Sequence, residues 1–184
     1  MPIARLIAFS APSGAGKSTI CQKLLKRHPD FQLSISATTR PPRYYENEGE
    51  HYFFLSPDSF QAKVDSGEFL EYEEVHGNYY GTLKPVVEAF LAEGKTILFD
   101  IDVNGALAIK AHYPDAMLIF IAPPSIEELQ RRLRGRGSDD PAQIEKRLKR
   151  LPEEMEKGQQ FDYIVVNKNL DQTVREIERL IFNS

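Results

Sequence analysis

The stretch SAPSGAGKST at residues 10–19 constrains this chain more than any other. It follows a short apolar run, RLIAFS at 5–10, and precedes a segment with Ile20, Leu24 and Leu25 at helical spacing that ends at His28-Pro29. A buried strand, a glycine-rich turn and a helix, in that order, are the setting of a phosphate-binding loop, G-x-x-x-x-G-K-[ST]. In such a loop the backbone N–H groups, here those of residues 13–18, turn inward. Together with the positive end of the helix they hold anionic oxygens. Lys17 adds a point charge, and the Ser18 hydroxyl is a magnesium ligand. Gly16, Lys17 and Ser18 fit the pattern, whereas Ala11 stands at its first glycine. Alanine is the smallest replacement and is excluded only where φ must be positive. Gly14 and Gly16 remain inside the loop, so a working cradle is expected.

The alternation of strand and helix continues. Apolar runs at 96–101 (TILFDI), 117–122 (MLIFIA) and 163–166 (YIVV) read as buried strands. Helical stretches are expected at 103–112, 125–133 and 170–181, the second opened by a capping box, Ser125-x-x-Glu128. Strands alternating with helices imply parallel pairing and a layered α/β core, with ligands at the carboxyl ends of the strands. Residues 10–18, Asp100 and Asp102 all fall there. Two regions break the rhythm. Residues 34–75 are rich in Tyr, Glu, Arg and Pro, with alternating pieces at 51–55 and 69–75 around a helix opened by Ser56-Pro57-Asp58. That pattern describes a small mixed flap rather than a linker. In 131–150, RRLRGRGSDDP sets glycines and charges between two helices, the pattern of a mobile lid.

Composition narrows the function classes. The chain has 184 residues, which suits one domain. No apolar run approaches the ~20 residues of a membrane span, and the N-terminal segment lacks the long apolar core of a signal peptide. A cytoplasmic protein with no membrane partner is expected. The single cysteine, Cys21, leaves no internal disulfide or thiolate metal centre and reads as a buried helix residue. The four histidines are scattered without zinc-type spacing. A net charge of −4 argues for small anionic ligands held by local basic clusters, and against nucleic acid.

Further residues carry candidate chemistry. Asp100, ending a buried strand, places a carboxylate beside the loop, where it can hold Mg2+ directly or through water. Arg40 and Arg43 flank two prolines that stiffen the backbone, and guanidinium forks suit phosphate oxygens. Arg131, Arg132, Arg134, Arg136 and Arg147 form either a solvated basic face or a cationic flap that closes over a triphosphate.

The motifs SAPSGAGKST, SISATTRPPR, GEHYFF, GEFLEYEEVHGNYYGT, ILFDIDVNG, FIAPPS and RLRGRG occur in one order over nearly the whole chain. Together they resemble the guanylate kinases, a family of nucleoside monophosphate kinases. The resemblance implies ATP-dependent phosphorylation of GMP, and of dGMP, with Mg2+ as cofactor in purine nucleotide metabolism. It implies an α/β P-loop kinase whose parallel-sheet core (1–33, 84–126, 151–184) carries a GMP-binding flap (34–83) and a helical lid (127–150). By the same resemblance Ala11, Pro12, Ser13, Gly14, Ala15, Gly16, Lys17, Ser18 and Thr19 meet ATP, with Asn167 on the adenine side. Arg40, Arg43, Tyr52 and Tyr80 meet the GMP phosphate. Ser36, Glu71, Thr82 and Asp102 contact guanine, with Gly81 beside them. Arg132, Arg136 and Arg147 meet ATP and the transferred phosphoryl, forming the catalytic set with Lys17 and Arg40. Ser18 and Asp100 hold the metal. Two departures stand out: Thr82 replaces the usual serine, and Tyr44-Tyr45-Glu46-Asn47 replaces the usual glycine-glutamate turn.

Three rival readings share some of these residues. Asp102-Val103-Asn104-Gly105 matches the D-x-x-G switch of a regulatory GTPase, and Asn167-Lys168-Asn169-Leu170 begins like N-K-x-D. However, Leu170 cannot accept from guanine. Non-catalytic guanylate-kinase-like binding domains lack an intact loop or lid, whereas Lys17, Ser18, Asp100 and the lid arginines are present here. A kinase of another monophosphate stays open, with Glu71 and Asp102 against it.

Overall fold

The computed structural model describes residues 5–75, 77–135 and 140–183. Strand β1 (Leu6–Ser10) runs into the glycine loop, and helix α1 (Lys17–Arg27) leaves it. Strand β2 (Phe31–Leu33) follows. The flap contributes β3 (Ala37–Thr38), β4 (Phe53–Phe54), α2 (Pro57–Asp65), β5 (Phe69–Val75) and β6 (Asn78–Leu83). The chain then returns through α3 (Lys84–Ala92), β7 (Thr96–Asp100), α4 (Val103–His112) and β8 (Met117–Ala122). It ends with α5 (Ile126–Gly135), α6 (Pro141–Gly158), β9 (Tyr163–Val166) and α7 (Leu170–Asn183).

The main sheet is parallel, in the order β2-β7-β1-β8-β9. Helices cover both faces, so its strands read as continuous apolar runs rather than as alternation. Leu6 and Ala8 of β1 pack with Val103, Ala106 and Ile109 of α4. Ile7 and Phe9 point the other way, toward Ile20 and Leu24 of α1 and Val174, Ile177 and Ile181 of α7. Phe9, Phe99 and Phe120 are fully buried, and side chains of this kind contribute roughly 1.5–3 kcal/mol each. Cys21 lies in the same core, and burial raises its thiol pKa far above the usual range.

The flap is a separate four-stranded sheet, β4-β3-β6-β5, with antiparallel β3–β6 and β5–β6 pairs and a parallel β3–β4 pair. One face packs on α2 through Phe60, Ala37 and Leu83. Ser56 caps α2 by accepting from the Ser59 N–H, with proline at the first helical position, as expected.

Several expectations need adjusting. Ser125 accepts from the Glu128 N–H at 3.1 Å, but the Glu128 carboxylate binds Arg131 and Arg132, so only half of the expected capping box forms. The complete box is at Asp140 and Gln143, opening α6. The alternating piece at 51–55 is a strand only over Phe53–Phe54. Helix α3 and strands β2 and β6 carry no strong periodic signal and are visible only in the fold.

Candidate active site

Strand order builds the site. β1 and β7 are neighbours, with Phe9 opposite Asp100, so the glycine loop leaving β1 lies beside the carboxylate ending β7. Gly14 (φ 90°) and Gly16 (φ 97°) occupy the left-handed region, where side chains are strained. Ala11 is half-buried and packs against the apolar cluster beneath α1. The positive-φ turns of the loop thus fall on the glycines that the chain retains. No side chain caps the start of α1 and its first turn holds no acidic residue, which leaves its N–H groups for an anion.

Lys17 Nζ lies 2.9 Å from Asp100 Oδ1 and donates to the Ile101 carbonyl at 3.1 Å. Ser18 Oγ donates to Asp100 Oδ2 at 2.8 Å. One carboxylate therefore gathers both reactive side chains of the loop, and with the Ser18 hydroxyl it offers hard oxygen donors suited to Mg2+. The loop, Asp100, Asp102 and Glu154 line a cavity of about 330 Å³.

Asp102 links this cavity to the flap. It caps α4, accepting from the Gly105 N–H at 2.7 Å. A Cβ on Gly105 would lie 2.5 Å from the Ile101 side chain, so the D-x-x-G resemblance here reflects a cap and close packing. Asp102 also lines a second cavity, of about 320 Å³, with Glu71, Glu73 and Asn104. Thr82 Oγ1 donates to Glu71 Oε1 at 2.7 Å across the β5–β6 pair. Burial pushes Glu71 up to about 7; the Thr82 hydroxyl opposes the shift, and the charges of Asp102 and Glu73 add to it. A Cβ on Gly81 would meet Phe69 at 2.7 Å and the Glu71 carbonyl at 2.8 Å, which gives that glycine a packing reason. Ser36, just before β3, accepts from the Phe53 N–H at 2.9 Å.

The flap arginines are locked by a residue that sequence reasoning missed. Glu46 accepts from both terminal nitrogens of Arg40, at 3.0 and 2.8 Å, and from the Arg43 N–H at 2.8 Å. Its carboxylate is only 5% exposed, and the Arg40 guanidinium foremost holds it down to about 2. The Arg40 guanidinium stands 5.3 Å from the centre of the Tyr52 ring, which lies 6.0 Å from that of Tyr80. Arg43 donates to the Tyr45 hydroxyl at 2.9 Å. The unusual turn after Arg43 therefore supplies partners to both arginines. An acidic residue three positions beyond the R-P-P-R segment was the available signal.

On the lid side, Arg132 donates to Glu128 at 2.9 Å and to the Asn167 carbonyl at 3.3 Å. Arg147 donates to the Ser13 hydroxyl, which brings a lid arginine onto the loop. Arg136 lies outside the described residues. A cavity of about 510 Å³ joins Ser13 to Gln143, Lys146, Arg147, Arg150 and Glu154. Glu154 was also missed. It lies seven residues after Arg147, on the same helix face, and burial raises its pKa against the pull of Arg150 and Lys17. Asn167 is buried beneath the loop, its amide bonded to Ala15 and Thr173. A larger cavity, of about 640 Å³, opens at the opposite ends of the strands, around Arg5, Met117 and Tyr163, away from these groups.

A glycine loop at a helix N-terminus joined to a strand-end carboxylate, with a second cavity across Asp102, is the arrangement of a P-loop nucleotide kinase. The family model described as guanylate kinase matches residues 3–184. The chain is 49% identical over 177 residues to the guanylate kinase of Synechocystis sp., covering 96% of this chain and 93% of that one. It is 44% identical over 181 residues to that of Idiomarina loihiensis, covering 97% and 86%. The crystal structure of guanylate kinase from Anaplasma phagocytophilum superposes with a TM-score of 0.76 at 30% identity, over 98% of this chain and 86% of that one. The chain belongs to the guanylate kinase family. It is an enzyme, and its reaction is the ATP-dependent phosphorylation of GMP to GDP.

Proposed function

We propose that the phosphoryl group passes from ATP in the glycine loop to GMP in the flap by alignment and charge neutralisation, with no dedicated base. A phosphate monoester has a second pKa near ~6, so GMP is already largely a dianionic nucleophile at neutral pH. The obstacle is repulsion between two charged phosphates. Lys17, Arg132, Arg136 and Arg147 offset it on the ATP side, and Arg40 and Arg43, with Tyr52 and Tyr80, on the GMP side. Ser18 and Asp100 would hold Mg2+, which there supplies charge neutralisation on the transferring phosphate. Glu71 accepts from the N1–H and N2–H₂ edge of guanine, supported by Thr82, Ser36 and Asp102. Adenine has a lone pair at N1 and would leave that carboxylate unpaired. Such mismatches discriminate by ~10⁴ or more.

We assign the loop residues 11–19 and Asn167 to the ATP side, with dGMP as a second acceptor. Flap 34–83 and lid 127–150 act as closing units on the core, and closure would exclude water. Each has its own small apolar cluster, around Phe60 in the flap and around Leu129, Leu133 and Ile144 in the lid, the latter joined by Leu151 just beyond it. Pro152, inside α6, removes a backbone hydrogen bond just beyond residue 150. The reading places the enzyme in purine nucleotide metabolism in the cytoplasm, without nucleic-acid or membrane partners. Among the described residues no helix is long and apolar enough to cross a membrane.

The observation that carries this reading is the sharing of Asp100 by Lys17 and Ser18 beside the Asp102 bridge to Glu71. ADP release from ATP, measured with GMP, dGMP, AMP, CMP or no acceptor, and with or without Mg2+, tests it. Turnover confined to GMP and dGMP, and abolished by chelation, is expected. Equal turnover with AMP would remove the guanine assignments, and full activity without divalent metal would remove the metal pair.

A further inference from the structure

The underside of the phosphate loop carries a linkage that nucleotide contacts leave unexplained. Asn167, just past β9 and 6% exposed, donates from Nδ2 to the Ala15 carbonyl at 2.9 Å. That carbonyl can only accept, so the orientation of the amide is chemically fixed and Oδ1 faces away. There it meets the Thr173 hydroxyl at 3.1 Å, on the first turn of α7 and itself buried. The hydroxyl is also 2.9 Å from the Asn169 carbonyl, which accepts from the Thr173 backbone N–H as well, at 2.9 Å. That carbonyl is satisfied by the backbone N–H, whereas the buried Oδ1 of Asn167 needs a donor, so the single hydroxyl proton is assigned to Asn167. The remaining polar atoms of Asn167 are engaged as well: its N–H with the Ala122 carbonyl at 2.9 Å, and its carbonyl with Arg132 at 3.3 Å. Gly16 rests on the same amide, since a Cβ there would come within 2.6 Å of Nδ2.

A cradle for an anion needs its N–H groups inward and its carbonyls turned away, and a carbonyl turned into the protein needs a donor. We propose that Thr173, acting through Asn167, is a positioning residue for the ATP phosphates. The hydroxyl fixes the amide, the amide holds the Ala15 carbonyl down, and the following N–H groups are thereby aimed at the polyphosphate. The same residue docks Arg132, so loop and lid arginine share one anchor. The inference rests on reading residues 13–18 as the ATP cradle, and it assigns Asn167 to the phosphates rather than to the base.

The test is calorimetric titration of the whole chain with magnesium tripolyphosphate (a phosphate chain without a base), with Mg-ATP and with GMP, alongside steady-state kinetics. Asn167→Ala and the nearly isosteric Thr173→Val should each weaken tripolyphosphate and ATP by the same factor. About tenfold is expected, the scale of one buried hydrogen bond. GMP affinity should not change, KM for ATP should rise in parallel, and Thr173→Ser should restore it. Unchanged tripolyphosphate binding in Thr173→Val overturns the proposal, as does weakening of ATP alone, which would place the amide against the base. GMP binding reports folding; if Thr173→Val loses it, Thr173→Ala decides by the same readout. If the unaltered chain fails to bind tripolyphosphate, the cradle reading itself fails, a result distinct from any variant's.

Discussion

The two halves of the site are built from different materials. On the side proposed for ATP the available groups are mostly backbone, held between β1 and α1, and the loop side chains Lys17 and Ser18 converge on one carboxylate. On the side proposed for GMP the backbone serves mainly as scaffold, and side chains interlock across a small sheet: Glu71 with Thr82, and Arg40 with Glu46 beside Tyr52. The main sheet is buried on both faces, so its loops are positioned by a rigid core. The flap has one small apolar cluster and fixes its polar groups by pairing them with each other. On the proposed assignment, a backbone cradle would read charge, whereas a side-chain surface would read the base. Substitutions should therefore separate cleanly by substrate.

The sharpest break is expected at Lys17. Lys17→Met should lower kcat/KM by about 10³-fold, the scale of a lost electrostatic contact in the transition state, while calorimetric GMP affinity stays unchanged. Next is Glu71. Glu71→Gln should lower kcat/KM for GMP by about 10²–10³-fold with KM for ATP unaffected, since one of the two acceptor oxygens proposed for the guanine edge becomes an NH₂ donor facing another donor.

The same residue carries a pH signature. Glu71 ionises near 4.5 when unperturbed but near 7 in the fold. The fold thus holds an extra proton between these values. The stability tied to that proton is full below about 4.5 and is lost as pH rises through 7. Glu71→Gln should therefore melt higher than the unaltered chain above pH 7, by a margin that closes in acid. GMP affinity of the unaltered chain should fall as pH drops through 7, and the Gln variant should lack that component. A melting curve and a titration at several pH values check both.

A smaller effect belongs to Glu46. Glu46→Gln keeps the shape but loses the charge that grips Arg40, and KM for GMP should rise by about tenfold with kcat little changed. Equal shifts in ATP and GMP parameters would blur the division between the two halves. The smallest effect is expected at Ala11. Ala11→Gly should change ATP affinity and kcat by less than about fivefold, because a glycine–alanine exchange away from a positive-φ site is worth under about 1 kcal/mol. A gain above tenfold would mean that the cradle depends on that position after all.

How much of this was readable in advance follows the same division. Helix α1, strands β8 and β9, helix α4 and strand β5 lie where their apolar residues place them: α1 shows a helical period toward the core, and β8, buried on both faces, a continuous apolar run. The phosphate loop was legible because its glycines and lysine are contiguous, and Asp100 because it ends a buried run. Helix α3 and strands β2 and β6 were not, being short or built from residues such as NYYGTL that suit several structures. Glu154 was invisible for a different reason: a lone glutamate in a charged segment carries no local mark of its partner. Glu46 has the nearby arginines as its one signal, but its position alone does not say which of them it grips. Only the folded flap brings Glu46 onto Arg40, and only α6 packed over the loop brings Glu154 to the cavity that the loop and Asp100 line.

Neighbours along the chain suffice to fix the alternating core, the loop and the identity of the charged groups. Tertiary structure alone decided that Asp102 spans two cavities, that burial lifts Glu71, and that Thr173 reaches Ala15 through Asn167. Each of those depends on residues dozens or more positions apart meeting out of water, where a hydrogen bond or a lost hydration shell acquires its full weight.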